Sequence, residues 1–259
     1  MSAANYYFSM FSSTHMMFLA VLLPIAAALA IFLSKKIGFS KKLVWFCLVL
    51  GLLCELEKIF FFMAENPGGG YRLPAEHIPL NLCPFQIFLI FALAISKDVK
   101  KNTFLLAYMY PTMVAGGFLG MLLPSVIDQG YHGLMDFATY RYFFFHAMVV
   151  FLGIYIYLSK PIQFTIKSFA SYLAGLFLFV LVLIWINALL GWDPTVNFWF
   201  LVKPPRENLP IINIDNGWAI YMRNLFGVAV LLFALCYMRE IVKGIPGLIK
   251  TIGGKLKKK

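Results

Sequence analysis

Two residues in this chain have the chemistry for covalent group transfer. Cys83 lies in the run His77-Ile78-Pro79-Leu80-Asn81-Leu82-Cys83-Pro84, and His146 in Tyr142-Phe143-Phe144-Phe145-His146-Ala147. An imidazole titrating near neutrality takes the proton of a thiol and returns it to a leaving group. A cysteine with a histidine is therefore the minimum set for acyl transfer through a thioester. Pro84 is expected at the first position of a helix, where a missing N–H costs nothing. That register makes Cys83 the N-cap, facing unsatisfied N–H groups near Phe85 and Gln86 at the positive pole of the helix dipole. Both effects favour thiolate. The plain alternatives are a small buried hydrophobe for Cys83, and for His146 a core histidine bonded to a carbonyl or a tyrosine. Cys47 and Cys236 lie in apolar interiors, and Cys54 sits beside Glu55, whose charge disfavours a thiolate. No cysteine has zinc-ligand spacing with histidine, so no metal and no cofactor is expected.

The elements that position this pair are set by composition. The chain has 259 residues, of which 61% are hydrophobic and 13% charged, with a mean hydropathy of +0.82. A soluble fold of this length lacks the polar residues to cover its surface. Apolar runs of about 20 residues recur, each long enough to cross a bilayer core of about 30 Å. The expected fold is all-α: a polytopic membrane bundle of about seven helices. Runs and breakers predict them near His15–Leu33, Lys42–Met63, Leu82–Ser96, Asn102–Leu123, Arg141–Ser159, Thr165–Leu190 and Trp218–Met238. Residues 1–238 form one transmembrane domain and 239–259 a basic tail. Most of the 22 basic residues fall on alternate connections and the tail, which places the N-terminus outside and the C-terminus in the cytoplasm. The net charge of +11 is spread over membrane-flanking loops, so it points away from nucleic acid and toward anionic lipid at the tail.

The remaining polar residues share a depth. At 1.5 Å per residue, Cys83, His146, Asn187 and Arg223 are expected within about 8 Å of the outer boundary, and Glu55 at about 12 Å. Ionisable groups inside spans are costly and are functional candidates. An interhelical Glu55–Arg223 ion pair is one reading, a catalytic or substrate-binding role the other. Asn187 reads as helix–helix glue or as a ligand. Lys58 is expected to snorkel outward. Gly116 and Gly120 have the spacing that lets helix backbones approach closely, and Pro111 is expected to kink their helix. The outer segment from Asn197 to Arg206 has interfacial character, as an anchor or a cap over a site.

Four motifs in order resemble the YwaF-like family of small polytopic membrane proteins. Ile78-Pro79-Leu80-Asn81-Leu82-Cys83 is similar to its "LPL-x-LC" signature. Gly116 to Pro124 resembles its glycine-rich helix ending in proline. Phe143-Phe144-Phe145-His146 resembles "FxxSH", with Phe145 in place of serine. Asn197-Phe198-Trp199-Phe200-Leu201 with Lys203-Pro204 resembles "NYxFL…KP". Asn81 stands where the family often has Gln or His. The family includes a vertebrate acyltransferase for ether lysophospholipids. The resemblance implies an integral protein of a bacterial plasma membrane that moves a fatty acyl chain between phospholipid and lysophospholipid, or to water. Cys83 and His146 are then catalytic. Asn81, Glu55, Asn187, Asn197, Arg206 and Arg223 are supporting or substrate-binding, and Arg72, Arg141 and Lys203 are further partners for the headgroup. Two other classes compete: a small-solute permease, which needs polar groups through the whole membrane, and a non-catalytic lipid-binding protein.

Overall fold

In hydrocarbon every backbone N–H and C=O must be bonded within its own segment, so each apolar run becomes a helix. The computed structural model describes residues 10–65, 70–124, 137–204 and 211–246. Its helices are α1 (Ser13–Ile37), α2 (Lys41–Phe62), α3 (Leu82–Ile95), α4 (Thr103–Leu122), α5 (Phe137–Ser159), α6 (Ile166–Leu189) and α7 (Trp218–Cys236), followed by a helical segment over 238–246. The only strand pairing among the described residues joins Ala64 to Arg72 and Glu65 to Tyr71, antiparallel. Five helices, α1 and α4 to α7, are long and apolar enough to cross a membrane. α2 has 22 residues but carries Glu55, Glu57 and Lys58 in its last two turns. α3 has 14 residues, roughly 21 Å, which is short of the hydrocarbon thickness.

The ends of the helices follow local chemistry. Ser12 caps α1 by accepting from the His15 N–H at 3.3 Å, and Gly38, at φ 59°, closes it with an N–H to Ser34 O. Thr165 and Ser168 form a reciprocal capping box on α6. At the basic end of the bundle, Lys41 Nζ donates to Ser96 O at 2.5 Å, and the Ser40 N–H donates to Tyr155 Oη at 2.8 Å.

One helix cap and one helix start differ from the sequence expectation. α3 has Asn81 as its N-cap, so Cys83 is its second helical residue and Pro84 its third. None of the first four N–H groups of a helix has an intrahelical partner, so proline fits there as well as at the first position. Cys83 is thus not an N-cap, and its side chain does not face the orphaned N–H groups. α5 begins at Phe137, four residues before Arg141. This puts Arg141 inside the helix and His146 about 14 Å from its start, deeper than expected.

Pro111 reorganises α4 rather than simply bending it. Proline has no N–H, so Ala107 O loses its intrahelical donor. The Tyr237 hydroxyl, from the far end of α7, donates to Ala107 O at 2.9 Å instead. The helix then widens into a π turn over Thr112–Gly116, and the Thr112 hydroxyl donates to Tyr108 O at 2.7 Å. Tyr108, Tyr172 and Tyr237 are all fully buried around this turn. Replacing Tyr237 by Phe orphans a carbonyl in a membrane interior and should cost about 0.6–2 kcal/mol. In a Pro111→Ala background, where the main-chain donor returns, the same change should cost much less. Thermal unfolding of the four variants in detergent micelles checks this, and equal costs in both backgrounds would refute the substitution.

Candidate functional site

At the end of the bundle away from the lysines, α4 presents a face without side chains. A Cβ on Gly116 would lie 2.8 Å from Leu82 Cδ2, and one on Gly117 would lie 2.8 Å from Val150 Cγ2 and 3.2 Å from His146 O. A Cβ on Gly120 would fall 2.3 Å from His146 Cδ2 and 2.6 Å from its Nε2. The start of α3 and the middle of α5 therefore both rest on the backbone of α4. The glycine spacing anticipated this close approach. The structure brings Cys83 and His146 to that same face. The Cys83 thiol donates to Gly116 O at 3.5 Å, while the His146 imidazole lies against Gly120, one helical turn and about 6 Å further along the axis. No hydrogen bond joins the two side chains among the described residues. Both are buried.

The hydrogen bonds define the imidazole tautomer. His146 Nδ1 lies 2.8 Å from Tyr142 O, and a carbonyl only accepts, so Nδ1 carries the proton. Nε2 is then the basic nitrogen, and it is the one turned toward Gly120. The Tyr142 hydroxyl donates to Gly120 O at 2.8 Å. That carbonyl has no main-chain donor four residues on, because the residue there is Pro124. Tyr142 thus binds the glycine and orients the histidine that packs on it. On the other side, His15 Nε2 donates to Met121 O at 2.8 Å, and its Nδ1 accepts the Phe11 N–H at 2.9 Å. His15 and Tyr142 belong to this polar cluster and were not singled out from the sequence. The signal for Tyr142 was present in Pro124, which frees a carbonyl one turn back. Gln86, fully buried one turn after Cys83, donates Nε2 to Leu82 O at 3.2 Å.

Three of the predicted asparagines hold one loop over the start of α3. Asn187 Nδ2 donates to Leu183 O at 2.8 Å and Phe198 O at 3.3 Å, and its Oδ1 accepts the Phe198 N–H at 3.2 Å. Asn197 Oδ1 accepts the N–H groups of Val202 and Lys203 at 3.0 and 3.1 Å, which closes the loop on itself. Asn81 Oδ1 accepts the Trp199 N–H at 3.2 Å, and Trp199 Nε1 donates to Leu80 O at 2.9 Å. The loop is strained: Asn197, Trp199 and Phe200 have φ of 26°, 54° and 59°. Such values are uncommon outside glycine, and for bulky aromatics they persist only when surrounding contacts enforce them. Asn187, Asn81 and the Trp218 Nε1 bond to Leu201 O at 2.8 Å supply that enforcement.

The charged residues pair differently from the expectation. Glu55 forms its ion pair with Lys58, one turn along α2, and not with Arg223. Lys58 is three-quarters or more covered by the fold instead of reaching freely outward. Glu57 pairs with Arg141, which joins α2 to α5 one turn before Phe145. Short-range pairing wins here because Arg223 sits on α7, where it bonds the side chain of its neighbour Asn224 at 3.1 Å. His77 stacks on Phe62 with ring centroids 3.7 Å apart, and burial pushes its imidazole below the ordinary histidine value. Arg206 lies outside the described residues. Arg72 is exposed beside the short strand pair.

Five apolar spans with polar groups gathered at one end define an integral membrane protein of the helical, polytopic class. Residues 10–237 match the TMEM164 family, and the chain belongs to it. No curated protein and no solved structure matches the chain.

Two variants probe this architecture. Gly120→Ala drives a methyl into the His146 ring and should cost about 1–3 kcal/mol in thermal stability; adding His146→Ala should recover most of that loss. Unrelieved destabilisation in the double variant would mean that the ring is not the obstacle. Asn187→Ala removes both of its bonds to Phe198 in the strained loop, so hydrogen exchange over residues 197–203 should accelerate at least about tenfold. Unchanged exchange there would show that other contacts hold the loop.

Proposed function

We propose that this protein transfers fatty acyl chains on membrane phospholipids through a Cys83 thioester, with His146 as general base and acid. The observation that carries the reading is the tautomer of His146. Its Nδ1–H is bound by Tyr142 O, so the basic Nε2 faces the glycine surface that also receives the Cys83 thiol. The resemblance of four ordered motifs to the YwaF-like family, which includes an ether-lysophospholipid acyltransferase, supports the same chemistry.

The reaction begins when the thiol turns from Gly116 O toward Nε2, directly or through one water. His146 accepts the proton, and the thiolate attacks the ester carbonyl of a phospholipid. The tetrahedral intermediate collapses to the acyl-thioester, and the departing lysophospholipid alkoxide takes the proton from Nε2–H. In the second half His146 deprotonates the hydroxyl of a lysophospholipid acceptor. That oxygen attacks the thioester, the C–S bond breaks, and the proton returns to sulfur. Water in place of the acceptor gives hydrolysis. The Gln86 side-chain amide, one turn from Cys83, is the donor assigned to the oxyanion. Asn81, Asn187 and Asn197 act by holding the loop that covers the start of α3. The headgroup meets Lys203, Arg206 and the Glu57–Arg141 pair, while Arg223 and the Glu55–Lys58 pair tune the charge around it.

In this reading the seven helices lie in a bacterial plasma membrane, and all but α3 cross it. The lysine-rich end faces the cytoplasm and the site lies in the outer half. The short α3 reaches only part of the way, and the loop at Trp199 completes its outer boundary.

Incubation of the purified protein with phospholipid and lysophospholipid in micelles should yield a species heavier by one acyl chain, released by hydroxylamine at neutral pH. Cys83→Ser should abolish that adduct, and His146→Ala should slow acyl transfer by about 10²–10⁴-fold while the protein remains folded. Full transfer by either folded variant would remove the mechanism.

A further inference from the structure

A second site lies at the opposite, lysine-rich end of the bundle. The end of α5, the connection after it, the first turn of α6 and the 238–246 segment enclose a cavity of about 650 Å³. Its walls carry three cations, Lys160, Arg239 and Lys243, against a single carboxylate, Glu240. Glu240 is held to the wall, because its Oε1 accepts the Tyr157 hydroxyl at 2.6 Å. Arg239 and Lys243 are four residues apart on one helical segment and so share a face. That segment is seated firmly: a Cβ on Gly244 would lie 2.9 Å from Ile166 Cβ, so backbone rests directly on the first residue of α6. Lys160 turns the chain at the lip with φ 48°, a left-handed conformation that lysine rarely adopts. The rest of the lining mixes polar Tyr157, Gln163 and Thr165 with an apolar part that includes Phe164 and Ile166.

This combination has a specific ligand chemistry. Three cations around a partly apolar hollow, at the level where the spans α5, α6 and α7 end, match a phosphate ester attached to hydrocarbon. We infer that this cavity binds the phosphate headgroup of an anionic phospholipid, with Lys160, Arg239 and Lys243 around the phosphate and an acyl chain along Phe164 and Ile166. The site is built from the folded ends of helices within the described residues. It is also independent of acyl transfer at Cys83. Tyr237, next to the 238–246 segment, donates to Ala107 O beside the π turn of α4, so occupancy of the cavity has a bonded route toward the glycine face.

The test uses the full chain in nanodiscs of phosphatidylcholine containing a minor fraction of a photoactivatable phosphatidylglycerol. Cross-linked peptides should map to residues 157–166 and 238–244. Native mass spectrometry should show one retained phosphatidylglycerol in the wild type. Retention should fall at least about tenfold in Lys160→Ala/Arg239→Ala/Lys243→Ala, since each cation near an anionic headgroup contributes a substantial share of the binding. Lys257→Ala/Lys258→Ala/Lys259→Ala should leave retention unchanged. Cross-links confined to the last residues, or spread evenly over all lysine-rich connections, would overturn the assignment. Displacement of the lipid by millimolar inorganic phosphate would also overturn it, because the cavity would then be a soluble-anion site. The cross-linking arm needs no variant, so a misfolded triple mutant leaves the proposal testable.

Discussion

The close approach of three helices at one side-chain-free surface governs this molecule. Gly116, Gly117 and Gly120 remove the Cβ atoms that would hold α3 and α5 away from α4. Without hydrophobic pressure between helices in lipid, association depends on packing and on hydrogen bonds, and a glycine face offers both, since it exposes carbonyls. The same face that permits contact receives the Cys83 thiol at Gly116 O and the Tyr142 hydroxyl at Gly120 O. A methyl at position 120 would occupy the space of the His146 ring, so the placement of the imidazole and the helix packing depend on one set of atoms.

Two prolines explain two of the tyrosine hydroxyl bonds between helices. Pro111 and Pro124 each deprive a carbonyl one turn back of its donor, at Ala107 and Gly120. In both cases a tyrosine from another helix supplies the missing bond, Tyr237 and Tyr142. An unpaired carbonyl within hydrocarbon is expensive, so each break in a helix becomes a point where a neighbouring helix is fixed in register. The breaks in α4 thereby tie it to α7 at one level and to α5 at another.

Around the mouth of the bundle, polar groups serve one another before any ligand. Asn187 and Asn81 hold a loop in left-handed conformations that its aromatic residues would not adopt alone. The acids of α2 find their partners within a turn or on α5. Arg141 is the instructive case: in the sequence it opens the apolar run of a span, where it reads as a loop cation, yet the helix extends four residues before it and carries it inward to Glu57. Boundaries of this kind depend on what a charge meets, which a run of residue types does not contain.

The chain by itself determined the helical class, the seven apolar segments to within a few residues, the asymmetry between a lysine-rich end and a polar one, and the glycine contact surface. These follow from local composition and period, because the membrane forces backbone bonding within each segment. Only the tertiary structure decided that Asn81 rather than Cys83 caps α3, that Glu55 meets Lys58 rather than Arg223, and that Tyr142 orients His146 while Asn187 and Asn81 strap down Trp199. Each of those outcomes is a choice among several chemically acceptable partners. Partner choice is set by distance and by which orphaned carbonyl lies within reach, and those exist only once the helices are packed.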